Sequence, residues 1–162
     1  ADTLNFTNRA GQHQSIGLTD KTTIRLISKT SLDSIKTDSF IGSAATPQAD
    51  GTLKALEVTV FEASLKGSGE GHYGWENADG STGTMTNGTV GTLAKTNGRT
   101  LTVLYKGGEK QLVVPEDVPI AYVQPGERSA LKAGAKIVLF PADDGKSARG
   151  IAVGKDGFTP PM

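Results

Sequence analysis

The chain has 162 residues, 36% hydrophobic and 21% charged, enough for one domain or two small ones with modest cores. Its 17 basic and 17 acidic side chains cancel, so the positive excess with which a nucleic-acid binder displaces counterions is missing. The absence of cysteine excludes disulfides, zinc–thiolate sites, iron–sulfur clusters and a cysteine nucleophile, and no apolar run reaches the roughly 18–20 residues of a membrane-spanning helix.

Glycine, proline and Asx-Gly pairs punctuate the chain at the spacing of short strands. The opening Ala1-Asp2 suits an end left by signal-peptide cleavage. Strands are expected around Leu4-Asn5-Phe6 and Ile16 to Leu18, with His13 solvated beside Gly11 at the hairpin tip between them. Another strand starts at Thr23-Ile24, and residues 31–35 read as a single helical turn. Asp50-Gly51 separates strands at 40–45 and 53–61. Residues 62–87 carry six glycines (Gly67, Gly69, Gly71, Gly74, Gly80 and Gly83) and no sustained period, so they read as a connector without strands of its own. Tyr73 and Trp75 argue that this connector is ordered, with their rings plugging a seam between two barrels.

Beyond it, strands are expected at 89–95, 101–105 and 111–114, the last two joined through Gly107-Gly108, because glycine reaches the positive φ of a primed turn. Asn97-Gly98 reads as a further turn. A strand begins at Pro119-Ile120, residues 128–132 form a second helical turn, and Asp144-Gly145 separates strands at 137–140 and 148–153. Pro160-Pro161 keeps the tail extended.

These elements fall into two matching series. Leu4-Asn5-Phe6 corresponds to Leu101-Thr102-Val103, Ile16 and Leu18 to Leu112 and Val114, Thr23-Ile24 to Pro119-Ile120, and the first helical turn to the second. Phe40-Ile41 then matches Lys136-Ile137, and Ala55, Val58 and Val60 match Ala148, Ile151 and Val153. The expectation is an all-β protein of two tandem small barrels, of the OB or SH3 kind, related by internal duplication. Its segments would be a first repeat at 1–61, the Gly-rich connector at 62–87 and a second repeat at 88–162. The strand at 89–95 has no counterpart in the first repeat; either another segment fills its place, or an open edge is left that invites pairing with another chain or a second copy.

The second series, from Gly88-Thr89-Val90 through Leu101-Thr102-Val103 to Asp144-Gly145 and Ile151-Ala152-Val153, resembles a small β-barrel domain of unknown function found in exported bacterial proteins. The stretches Gly69-Glu70-Gly71-His72-Tyr73-Gly74-Trp75, Thr84-Met85-Thr86-Asn87 and Gly154 to Met162 resemble a proteobacterial subgroup. The resemblance implies a small barrel and a periplasmic or secreted location, without an activity. Some members carry a metal-transporter permease label, which does not suit a chain without a membrane-spanning helix.

Three classes of function are weighed. The first is a non-catalytic accessory protein that binds a soft metal. His72, Met85 and Met162 offer imidazole and thioether donors suited to Cu(I) or Ag(I), and Trp75 is close enough in sequence to present its ring to the cation. Tyr73 and Glu70 complete this candidate ligand-binding stretch. The second is a structural or assembly module that pairs through open strand edges. The third is an enzyme built on Glu70, His72 and Glu76, or on Ser68 or Ser81 with His72, although neither a nucleophile elbow nor a phosphate-binding loop is present.

Overall fold

The computed structural model describes residues 2–77, 79–95 and 98–161. The protein is all-β, as expected, with 55% of residues in strands and only short 3-10 turns. In chain order the strands are β1 (Asp2–Thr7), β2 (His13–Leu18), β3 (Thr23–Thr30), β4 (Phe40–Pro47), β5 (Leu53–Ala55), β6 (Val58–Phe61) and β7 (Gly71–Glu76). They continue with β8 (Thr82–Ala94), β9 (Arg99–Tyr105), β10 (Gly108–Val114), β11 (Ile120–Pro125), β12 (Ile137–Pro141) and β13 (Ala148–Gly154). The two expected helical turns are 3-10 turns at Leu32–Ser34 and Arg128–Ala130, and two more occur at Ala63–Leu65 and Lys155–Gly157.

The chain packs as two compact units. The larger, Ile27–Gln124, contains a closed barrel of five strands. β4, β5, β10, β9 and β8 form the ring, every pair antiparallel except β5 with β10, and β8 closes it by pairing with β4 from Thr84 to Thr89. Alternation along the strands sends Ile41, Ala45, Leu53, Ala55, Val90, Leu101, Val103, Leu112 and Val114 into one core. Each fully buried leucine there contributes about 1.5–3 kcal/mol relative to exposure. Outside the ring, β6 lies beside β4 and in parallel with β11.

The second unit joins the start of the chain, up to Leu26, with Pro125–Pro160. The β1–β2 hairpin and the start of β3 supply Leu4, Phe6, Ile16, Leu18, Ile24 and Leu26 to its core; the C-terminal part supplies Ala130, Leu131, Ile137, Leu139, Ala148, Ile151 and Val153. Thr22 donates its hydroxyl to the carbonyl of Ala148 at 2.7 Å, and Gly17 N–H to that of Lys146 at 2.9 Å, so the two ends of the chain are tied together.

The division by packing therefore differs from the boundaries 1–61, 62–87 and 88–162. Neither unit is a continuous repeat: the barrel borrows β4 and β5 from the first series, and β12 and β13 pack on β1 and β2. The stretch expected to be a strand-free connector is instead largely a hairpin, β7 paired with the first half of β8. Its glycines misled the reading because some of them serve close packing in strands. A Cβ on Gly83 would come within 2.8 Å of the Ala45 carbonyl oxygen and, one residue past the stretch, one on Gly88 within 2.3 Å of the Leu104 carbonyl oxygen. The strand expected at 53–61 is broken into β5 and β6 at Leu56-Glu57.

Candidate functional site

The β7–β8 hairpin carries most of the residues singled out in the sequence, and its register decides which of them meet. His72 stands opposite Thr86, Tyr73 opposite Met85, and Trp75 opposite Gly83. Directly paired residues share a face and successive residues alternate, so His72 and Thr86 lie on one face while Tyr73, Trp75 and Met85 lie on the other. The expected soft-metal set is thus divided: the His72 imidazole and the Met85 thioether project from opposite sides of the sheet. Met162 lies outside the described residues. Among the described residues no three His, Asp or Glu side chains are grouped as ligands.

On the His72 face, Nδ1 is 2.8 Å from the Thr86 hydroxyl and the ring stacks on Tyr105 with centroids 6.2 Å apart. Partial burial, and then the Lys110 ammonium, lower the basicity of His72 below that of an ordinary imidazole. Glu70 is exposed, and its Oε2 accepts the Lys106 N–H at 2.7 Å, pinning the start of β7 to the β9–β10 turn. Glu76 lies four residues along β7 from His72, a separation of about 13 Å at strand rise. Glu70, His72 and Glu76 are therefore spread along the strand and do not converge on one point. Ser68 donates its hydroxyl to the Leu65 carbonyl and Ser81 to Asp79 Oδ1, both as turn contacts.

On the opposite face, Tyr73 is 40% exposed, Trp75 is half-buried opposite Gly83, and Met85 is buried. The Tyr73 hydroxyl donates to the Gly69 carbonyl, and Asn87 Nδ2 donates to the carbonyls of Ser68 and Gly69. These bonds hold residues 68–69 against the strand pair. Gly42 is required opposite Asn87, because a Cβ there would sit 2.3 Å from Asn87 Oδ1. His13 is exposed at the start of β2, as expected, with Nδ1 3.1 Å from the Thr7 hydroxyl. A depression of about 260 Å³ beside it is lined by Asn5, Phe6, Thr7, His13, Gln14 and Ser15.

Two features escaped the sequence reading. One is Glu57, 1% exposed within the barrel unit, whose carboxyl burial pushes up to about 7. The signal for its position was present in the parity of the apolar residues. Leu53 and Ala55 face the core, and then Val58 and Val60 do; the step of three between Ala55 and Val58 requires an irregular residue between them. The other is which strands present the open edges that the sequence leads one to expect. β7 pairs only with β8, β12 only with β13 and β1 only with β2, so each has one side without a strand partner among the described residues.

β12 is the most apolar of these edges. Gly154 N–H donates to the Lys136 carbonyl, which puts Val138 and Phe140 at the positions bonded to β13 and turns the backbone groups of Ile137 and Leu139 outward. Ile137, Val138, Leu139 and Phe140 are all half-buried. Ile137 and Leu139 pack on the core of their unit, and Val138 stands on the other face. Lys136 and Pro141 bracket the run, a charge and an imide at the two ends of an otherwise unguarded edge. No known protein family, characterised protein or solved structure matches this chain.

Proposed function

We infer that the chain is a non-catalytic binding module that takes up an extended protein segment, from a partner or from a second copy, by strand addition. The observation that supports this reading is β12, an edge strand with apolar side chains on both faces and the backbone groups of two residues turned outward. An added strand would gain main-chain hydrogen bonds from Ile137 and Leu139 and would cover Val138. The unpartnered sides of β1 and β7 offer further edges, β1 with the exposed polar residues Thr3, Asn5 and Thr7. Soft-metal binding loses its geometric basis with His72 and Met85 on opposite faces. On the resemblance described above we also infer action outside the cytoplasm, which fractionation of cells expressing the full-length protein tests.

The binding reading is tested by panning the purified chain against a library of extended peptides and mapping amide exchange with and without a selected peptide. The expected result is peptides of alternating apolar character that protect the Ile137 and Leu139 amides, with affinity lost in Val138→Lys. Protection confined to other parts of the chain, or unchanged binding to Val138→Lys, would overturn the assignment to β12.

A further inference from the structure

β4 changes partners in its middle. Ile41 and Gly42 pair with Val60 and Thr59 of β6, whereas Ala45, Thr46 and Pro47 pair with β5. Between these two ladders the Ala44 carbonyl accepts the Leu56 N–H at 2.8 Å, and the Ala44 N–H donates to Glu57 Oε1 at 2.7 Å. A side chain thus occupies a place that a backbone carbonyl fills in an unbroken ladder. Thr59 Oγ1 lies 2.9 Å from Oε2, and the Ser43 hydroxyl donates to the Glu57 carbonyl at 2.6 Å.

A neutral carboxyl satisfies this arrangement completely. Oε1 accepts from Ala44 while the Oε2 proton is donated to the Thr59 hydroxyl, which works in either direction. An ionised carboxylate keeps both bonds but buries a charge with no cation beside it. β4, β6 and β8 carry no charged side chain, β5 carries the exposed Lys54, and β7 carries His72 and Glu76. Burial acts first on this carboxyl and the hydrogen bonds from Ala44 and Thr59 second, with no charged neighbour contributing.

The element nearest the carboxyl is also the weakest stave of the barrel. β5 has three residues, pairs with β4 through three positions and with β10 only through Leu112 and Val113. Leu56 and Glu57 follow β5 directly, so release of β5 carries the Glu57 backbone with it.

We propose that Glu57 is a proton-operated latch on the barrel: protonated, it holds β4 and β5 together, and ionised, it favours release of β5, which bares the edges of β4 and β10. The use of those bared edges by another strand rests on the strand-addition reading; the latch itself does not. In the released state the carboxyl has its ordinary value of 4.5, against about 7 when buried. The proton is therefore bound more tightly by the closed form, and raising the pH favours opening. The opening equilibrium rises by about tenfold per pH unit between roughly pH 5 and pH 7 and levels off above that.

Native-state amide exchange of the full chain, corrected for the intrinsic rate at each pH, reads this directly. In the wild type the opening equilibrium reported by the amides of Ala44, Leu56 and β5 increases on the order of tenfold or more from pH 5 to pH 8, while the amides of β13 stay unchanged. In Glu57→Gln the amides of Ala44, Leu56 and β5 lose their pH dependence. A pH-independent opening, a rise shared equally by β13, or the same slope in Glu57→Gln would overturn the latch. Should Glu57→Gln not fold, a titration of the Glu57 carboxyl carbon in the wild type decides: a midpoint in the ordinary carboxylate range overturns the proposal. A chain that shows the opening but takes up no peptide refutes strand addition and leaves the latch standing.

Discussion

At Glu57 the cost of a buried charge is concentrated in one residue. Its pKa lies at about 7 in the folded chain and near its ordinary value of 4.5 when solvated. The folded state holds more protons than the unfolded one between those values, so this group's contribution favours folding below pH 4.5 and declines as pH rises through 7. The full difference is roughly 3 kcal/mol. Urea denaturation of the wild type is expected to show a higher midpoint at pH 5 than at pH 8, with the difference largely abolished in Glu57→Gln. Glycine substitutions test packing on the same scale. Gly88→Ala forces a Cβ to within 2.3 Å of the Leu104 carbonyl oxygen, and a loss of about 1–3 kcal/mol is expected from such overpacking. Gly74 has open space around it, so Gly74→Ala should stay within about 0.5 kcal/mol of wild type. Equal losses in the two variants would show that the barrel does not close as tightly as described. At the metal-binding candidates, an anaerobic Ag(I) titration followed by Trp75 fluorescence is expected to reveal no site that requires both His72 and Met85, because their register positions differ by one. Saturable quenching lost in both His72→Ala and Met85→Ala would reverse that conclusion.

At the scale of elements, what was legible follows from how local each signal is. Asp50-Gly51, Gly107-Gly108 and Asp144-Gly145 mark real hairpin turns, with Gly51, Gly107 and Gly145 all at positive φ. The helical turns at Leu32–Ser34 and Arg128–Ala130 were equally readable. The β7–β8 hairpin was not, because Gly71, Gly74 and Gly83 remove the side chains by which alternation is recognised. The divided metal set follows from the same gap, since without a hairpin there is no register to separate His72 from Met85. β12 shows the opposite case, where the apolar run at 137–140 was visible but nothing local to it says that it ends a sheet. Its exposure predicts a measurable liability. Val138 faces away from the core of its unit, so Val138→Lys should leave the melting temperature within a few degrees of wild type. The charge should nevertheless slow aggregation at high protein concentration, which light scattering follows. An unchanged aggregation rate would point to another edge, β1 or β7.

At the scale of the whole chain, order in sequence and partnership in space separate. The matched series fall on β1, β2, β3, a 3-10 turn and β4, and again on β9, β10, β11, a 3-10 turn and β12. A tandem arrangement would pack each series on itself. Packing instead takes β4 and β5 into the ring with β8, β9 and β10, and it sets β12 and β13 against β1 and β2. Pattern in a sequence reports which face of a strand is apolar and leaves open which other strand covers it, so this exchange had no local signature. A fragment of residues 88–162 distinguishes the two arrangements. If the second series were a self-sufficient barrel, the fragment would fold alone. In the observed packing it lacks both β4, which closes the ring on β8, and β5, which pairs with β10. It also lacks Leu4, Phe6, Ile16 and Ile24, which cover Ile151 and Val153. The isolated fragment is therefore expected to give a poorly dispersed amide spectrum and a far-ultraviolet dichroism without strand signal. Adding residues 1–87 in equimolar amount should restore dispersion, because each half then regains the strands it pairs with. A well-dispersed spectrum from the fragment alone would mean that the second series can close on itself, and that the exchange seen in the intact chain is one of two packings available to the sequence.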